Sequence, residues 1–131
     1  MRPSVSTAGV GANDESEYAN LSADGRLVAF YSWASNLVPN DNNAQADCFV
    51  HDRLTGTTAR VSVDSAGGQA SGESWFPALS ADGRFVAFHS TAKDLVTAAS
   101  GASWAVYVHL RDGANPDGFA TSNGIWFQVC P

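Results

Sequence analysis

Short apolar runs, each introduced by an Asp-Gly step, set the rhythm of this chain. "LVAFYS" begins at Leu27 and "FVAFHS" at Phe85, each directly after an Arg that follows Asp-Gly. Runs this short, rich in Val and aromatic residues and bounded by turn residues, predict β-strands rather than helices. "CFVHD" from Cys48 and "VYVHL" from Val106 predict a further strand after each. "TGTTARVSV" supplies a turn at Thr55-Gly56 and then a β-branched strand from Thr58 to Val63. A two-residue Asp24-Gly25 loop fits a type I′ hairpin, and Asp82-Gly83 and Asn123-Gly124 repeat that signal. Each unit is therefore expected to hold four strands: one before the Asp-Gly turn, one after it, one from Asp47 to His51 and one from Thr58 to Val63.

The strand after the turn lacks clean alternation. Leu27, Val28, Ala29 and Phe30 are all apolar, and neighbouring side chains in a strand point to opposite faces. Leu27 and Ala29 should face one side, Val28 and Phe30 the other. Both faces must be covered, which predicts sheets stacked on sheets. Radially stacked four-stranded sheets meet that demand better than a two-sheet sandwich, which covers only inner faces.

The rhythm is a true internal repeat. At an offset of 58 residues, "SVSTAGVGANDES" from Ser4 matches "SVDSAGGQASGES" from Ser62, and Tyr18 falls on Phe76. "GRLVAFYSWASNLV" then falls on "GRFVAFHSTAKDLV" without a gap. The chain reads as one domain over residues 1–131, with units at about 4–61 and 62–119. "ATSNGIWFQV" from Ala120 resembles the start of the unit again, so a partial third unit is expected over 120–131. The second unit departs from the first where "RLTGTTARVSV" is replaced by "RDGANPDGFATSNG", which leaves its fourth strand open.

Composition narrows the partners. The chain has 131 residues, of which 44% are hydrophobic and 15% charged, with 12 Gly and 5 Pro. That supplies a core for one compact domain and many turns. A formal charge of -6, with the seven Lys and Arg scattered, argues against nucleic acid and against anionic membrane surfaces. No apolar stretch is long enough to span a bilayer, and "MRPSVSTAGVGANDE" has no signal-peptide core. Cys48 and Cys130 have no metal-ligand spacing; two free thiols or a disulfide both fit the sequence.

"SADGRLVAFYSWASNLV", "DCFVHDRLTGTTARVSV" and "SADGRFVAFHS" resemble the WD40-like β-propeller repeats of the TolB-like, PD40 type. The match covers nearly all of Ser4 to Arg111. The resemblance implies an all-β fold of four-stranded antiparallel propeller blades, here two tandem units plus a partial third. It also implies a bacterial protein, with a periplasmic or secreted location favoured. A closed propeller needs about four to eight blades. The chain would then be a piece of a longer propeller, a member of a ring (three chains giving about six blades), or two units collapsed into a sandwich.

Such repeats scaffold many tasks, so function rests on particular residues. "NDNNAQAD" places Asp41, Asn43 and Asp47 where a hard cation such as calcium could take oxygen ligands; a solvated loop whose side chains cap the backbone is the alternative. Calcium is the one cofactor candidate. His51 and His109 occupy equivalent strand positions, and His89 aligns with Tyr31, which favours packing roles. No "GxSxG" elbow is present, and the sequence points to no enzyme. Glu15 and Glu73 are equivalent and lie in the loops entering each unit. Trp33, Trp75 and Trp104, together with Tyr18, Phe76 and Trp126, lie near predicted strand ends. Aromatic faces beside carboxylates suit peptide or sugar ligands, and aromatics packing between sheets is the other reading. The expected function is a non-catalytic binding or scaffold module presenting loops to a protein or small-molecule partner. The alternatives are a carbohydrate-binding ring of several chains (a homo-oligomer) and a structural segment among remaining propeller blades.

Overall fold

In the computed structural model, which describes residues 2–64, 66–96, 104–111 and 124–130, the chain forms eight strands in two four-stranded antiparallel sheets. Sheet one runs β1 (Ser16–Leu21), β2 (Leu27–Ser32), β3 (Asp47–Asp52) and β4 (Thr58–Arg60). Sheet two runs β5 (Ser74–Leu79), β6 (Phe85–Ser90), β7 (Ala105–Leu110) and β8 (Gly124–Cys130). In both, spatial order equals chain order. The side chains of β8 and the residues around the Asn123-Gly124 turn lie outside the described residues, and with them Trp126 and the Cys130 thiol. Cys48 is buried and not in a disulfide.

The Ser-x-Asp-Gly stretch forms its turn by a specific set of bonds. Ser22 Oγ–H donates to Asp24 Oδ1 (2.7 Å), the Arg26 N–H donates to the same oxygen (3.0 Å), and the Leu27 N–H donates to Ser22 Oγ (3.0 Å). Ser80, Asp82, Arg84 and Phe85 repeat all three. Only the glycines take positive φ, 71° at Gly25 and 74° at Gly83. A type I′ turn needs positive φ at both central residues. The hairpin therefore has a wider loop than the two-residue one read from the sequence, closed by the Ser22 N–H to Leu27 O bond (3.0 Å).

Two other boundaries differ from the pattern. β4 ends at Arg60 rather than Val63: Val61 still donates to Cys48 O (2.8 Å), but Val63 turns to bridge Gln69. Gly124–Cys130, within the stretch 120–131 expected to open a third unit, pairs with β7 as the fourth strand of sheet two. Its turn-plus-apolar pattern suits any strand of the unit, and pairing is settled by a neighbour far away in sequence.

Both sides of the "VAF" strand are covered, as its lack of alternation requires. β2 is buried at every position. Leu27, Ala29 and Tyr31 join Cys48, Val50 and Val61 in a core against sheet two, where Val86, Phe88, Leu95 and Tyr107 meet them. Val28 and Phe30 face the other way, with Ala34, Leu37 and Phe49. The N-terminal segment lies along that side: Ala12 packs on it, Pro3 and Ser4 lie beside Phe30, and Thr7 and Val5 bond to Thr58 of β4. Each fully buried Phe or Leu contributes on the order of 1.5–3 kcal/mol. The two sheets stack through opposite faces, and they do not close on themselves.

Candidate binding surface

β1 and β5 are each an edge strand of their sheet, and each carries a bulge at the same repeat position. The β1–β2 register shifts between Glu17 and Asn20, and the β5–β6 register between Trp75 and Ala78. Inside the bulges sit Tyr18 and Phe76, both with φ of 54°. Bulky side chains avoid this left-handed region, at a cost of roughly 1–3 kcal/mol. The consequence is geometric: both rings are thrust out of the sheet edge, 63% exposed for Tyr18 and 41% for Phe76.

The rings touch and extend into a continuous file. Tyr18 meets Phe76 edge-on at 4.8 Å between centroids, and Tyr31 packs on both, at 5.7 and 5.6 Å. Trp33 joins Tyr31 at 5.3 Å. On the other side, Phe76 meets His89 at 5.0 Å, and His89 stacks on Trp104 at 5.1 Å. The Tyr31 hydroxyl donates to Glu17 Oε2 (2.8 Å); burial, and then this carboxylate, push its pKa up to about 12. Asn20 ties the two edges together: its side-chain amide donates to Pro77 O and accepts from the Leu79 N–H (3.0 Å).

Of the aromatic candidates read from the sequence, Trp104 is 54% exposed at the end of this file. Trp33 and Trp75 are half-buried against the core between the sheets. What repeats at Glu15 and Glu73 is a main-chain role. The Glu15 carbonyl accepts from Ser32 Oγ–H (2.7 Å) and the Trp33 N–H (3.1 Å), and the Glu73 carbonyl does the same for Ser90 and Thr91. The surface is thus built on strand edges rather than on loops. The 58-residue equivalence of Tyr18 and Phe76 was the sequence signal for it; the bulge itself has no such signal.

Asp41, Asn43 and Asp47 do come together, and the cation among them is Arg60. Its guanidinium lies 3.4 Å from Asp41 Oδ1 and 3.8 Å from Asp47 Oδ2, all three side chains being buried. Asn43 donates to Asp47 Oδ2 (3.0 Å) and Ser62 to Asp47 Oδ1 (2.7 Å). Burial outweighs these bonds and raises Asp47 to about 6; Asp41 is raised by burial too. At the repeat positions stand Ala99, Gly101, Ala105 and Gly118, so the cluster is absent from the second unit as a set. Among the described residues no group of three or more His, Cys, Asp or Glu side chains is placed to hold a metal. His51 is a packing group: Thr58 Oγ gives its proton to Val5 O, so His51 Nδ1–H donates to Thr58 Oγ (2.8 Å), and burial lowers the imidazole pKa. His109 is buried in β7.

The class defined by this architecture is all-β, two stacked four-stranded antiparallel sheets with aromatic edges. No family model and no curated protein matches the chain. The crystal structure of TolB from Acinetobacter baumannii is remotely similar, at 20% identity and a TM-score of 0.49 over 91% of this chain. The chain spans 23% of the length of that structure.

Proposed function

We propose that this chain is a non-catalytic binding module of β-propeller type, which engages a protein partner through the aromatic file on the edges of β1 and β5. The 58-residue repeat, its Ser-x-Asp-Gly turns and the common strand order of the two sheets support the propeller reading; a periplasmic or secreted setting goes with it. The observation that carries the binding role is the pair of equivalent bulges, each holding a large ring exposed in a backbone region such residues avoid. Strain kept at two matching edge positions is expected of a functional surface.

A peptide ligand suits the surface better than a sugar. Sugar sites set several directional polar groups beside an aromatic face. Here two of the neighbouring polar side chains are engaged internally, Glu17 with Tyr31 and Asn20 with the β5 backbone. Aromatic grooves low in free polar groups dock extended, proline-rich segments.

Titrating the chain with a proline-rich peptide, and separately with a glucose oligosaccharide, tests the reading by tryptophan emission. The peptide is expected to shift emission, and Tyr18→Ala or Phe76→Ala to weaken binding about tenfold or more. Binding unaffected by both substitutions sinks the proposed surface. A response to the oligosaccharide alone replaces the peptide reading with the carbohydrate one.

A further inference from the structure

The two sheets meet through opposite faces, and the repeat makes that contact a template. Val86, Phe88, Ala92, Leu95, Val96 and Ala70 of unit two pack against sheet one. Their counterparts at the 58-residue offset are Val28, Phe30, Ala34, Leu37, Val38 and Ala12, the same residue type in every case. Those six make up most of the second apolar cluster, on the outer side of sheet one. The surface that sheet two offers to sheet one is therefore present a second time.

Its complement is present a second time as well. Leu27, Ala29 and Tyr31 of β2, with Cys48 and Val50 of β3, are buried because sheet two covers them. At the same positions on sheet two, Phe85, Ala87 and His89 of β6 and Val106 and Val108 of β7 are only half-buried. Trp104, the counterpart of the fully buried Ala46, is 54% exposed beside them.

We infer that this face of sheet two docks the outer side of sheet one of a second copy of the chain, in the register the two sheets use within one chain. The occupant follows from the internal interface, which shows what covers this kind of face. The same register lays His89 against Tyr18 of the incoming copy, as Tyr31 lies against Phe76 at 5.6 Å. It directs the Ala81 N–H to Ala23 O of the incoming copy, and the Ser16 N–H of the incoming copy to Trp104 O. Those bonds match Ala23 N–H to Ala81 O (2.9 Å) and Ser74 N–H to Ala46 O (2.8 Å) within the chain. In the single chain the N-terminal segment covers the outer side of sheet one, where Val28, Phe30, Ala34, Leu37 and Phe49 are buried, so docking displaces part of that segment. Its Val5–Gly11 bridge matches Val63–Gln69, a stretch that coexists with a packed sheet in the internal interface. Residues 2–4, which correspond to the end of β4 and its exit and include the Pro3 and Ser4 that lie beside Phe30, move aside. The contact is heterologous, so copies add head to tail until a ring closes.

The mass of the full chain in solution, read by light scattering over a range of concentrations, tests the inference. Assemblies larger than the 13.7 kDa monomer are expected. Val106→Lys, with circular dichroism as the check on folding, is expected to remain monomeric. Trp104→Ala, with circular dichroism as the same check on folding, is expected to weaken association about tenfold. Direction is tested by mixing. Val106→Lys keeps its sheet-one side intact, so added in excess it is expected to cap wild-type assemblies and lower their mean mass. A wild-type chain that stays monomeric at millimolar concentration overturns the inference. So does a wild-type mean mass that the capping variant leaves unchanged, since that result means like faces pair.

Discussion

The ring of Tyr18 stands edge-on to that of Phe76, 88° between planes, with both residues held at a φ of 54°. Two identical departures from ordinary strand geometry, on neighbouring sheet edges, aim two large rings at one another and at solvent. The backbone carries the cost, and the exposed rings return little of it as buried area.

Relieving that strain should therefore stabilise the fold. Tyr18→Gly is expected to leave the melting temperature unchanged or raise it, because glycine takes positive φ freely. Tyr18→Val is expected to lower stability by about 1–2 kcal/mol, since a β-branched residue is worst placed there. Thermal and urea melts of both variants check this. A Gly variant as destabilised as the Val variant means the ring contacts, not the backbone, hold the bulge.

Most strands and the positions of the turns, though not the turn type, were legible because their signals are local. Four consecutive apolar residues from Leu27 to Phe30 can only be satisfied by cover on both sides, and the Asp-Gly steps mark where strands begin. Long-range choices were not legible. Arg60 settles between Asp41 and Asp47 because β3 and β4 pair and the β2–β3 connection that carries Asp41 folds back on them, so three oxygen-bearing residues read as a candidate cation site. The bulge at Tyr18 lies in the pairing of β1 with β2 and goes against the propensity of the residue, so no local signal announces it. Gly124–Cys130 carries a pattern that any strand of the unit could use, and its partner decided its place.

The buried Asp41–Arg60–Asp47 cluster holds two carboxylates against one guanidinium, and this gives stability a pH dependence of definite sign. Asp47 is raised to about 6 in the fold by burial, above its unfolded value, so its favourable contribution is complete below the ordinary carboxylate range and lost as pH rises through 6. Asp52 is held low in the fold, chiefly by its two bonds from Arg26 (2.9 and 2.7 Å). Its contribution is complete above the ordinary carboxylate range and lost as pH falls below it. Stability should thus rise by roughly 1–3 kcal/mol from pH 7 to about 5 and fall again below about 4. Asp47→Asn is expected to remove most of the first change and leave the acid limb. Arg60→Met, which strands both carboxylates, should cost about 3 kcal/mol at pH 7 and less at pH 5. Urea titrations across pH measure all three; a wild-type profile flat between pH 7 and 5 contradicts the assignment.

Ser22 and Ser80 make the same three turn bonds in different surroundings, which separates the worth of the bonds from that of their burial. Ser22 is buried and Ser80 half-exposed. In Ser22→Ala the Leu27 N–H loses its hydroxyl acceptor where water cannot replace it, and an unsatisfied buried donor costs about 1–3 kcal/mol. In Ser80→Ala, water can reach the Phe85 N–H, and the loss should be nearer the ordinary net value of about 0.5–1.5 kcal/mol. Ser22→Ala is accordingly expected to be the more destabilising in urea melts, with the double variant close to the sum because the turns belong to different sheets. Equal losses would mean that the serine hydroxyls act through Asp24 and Asp82 alone, fixing the carboxylate that receives the Arg26 or Arg84 N–H rather than satisfying the strand that follows.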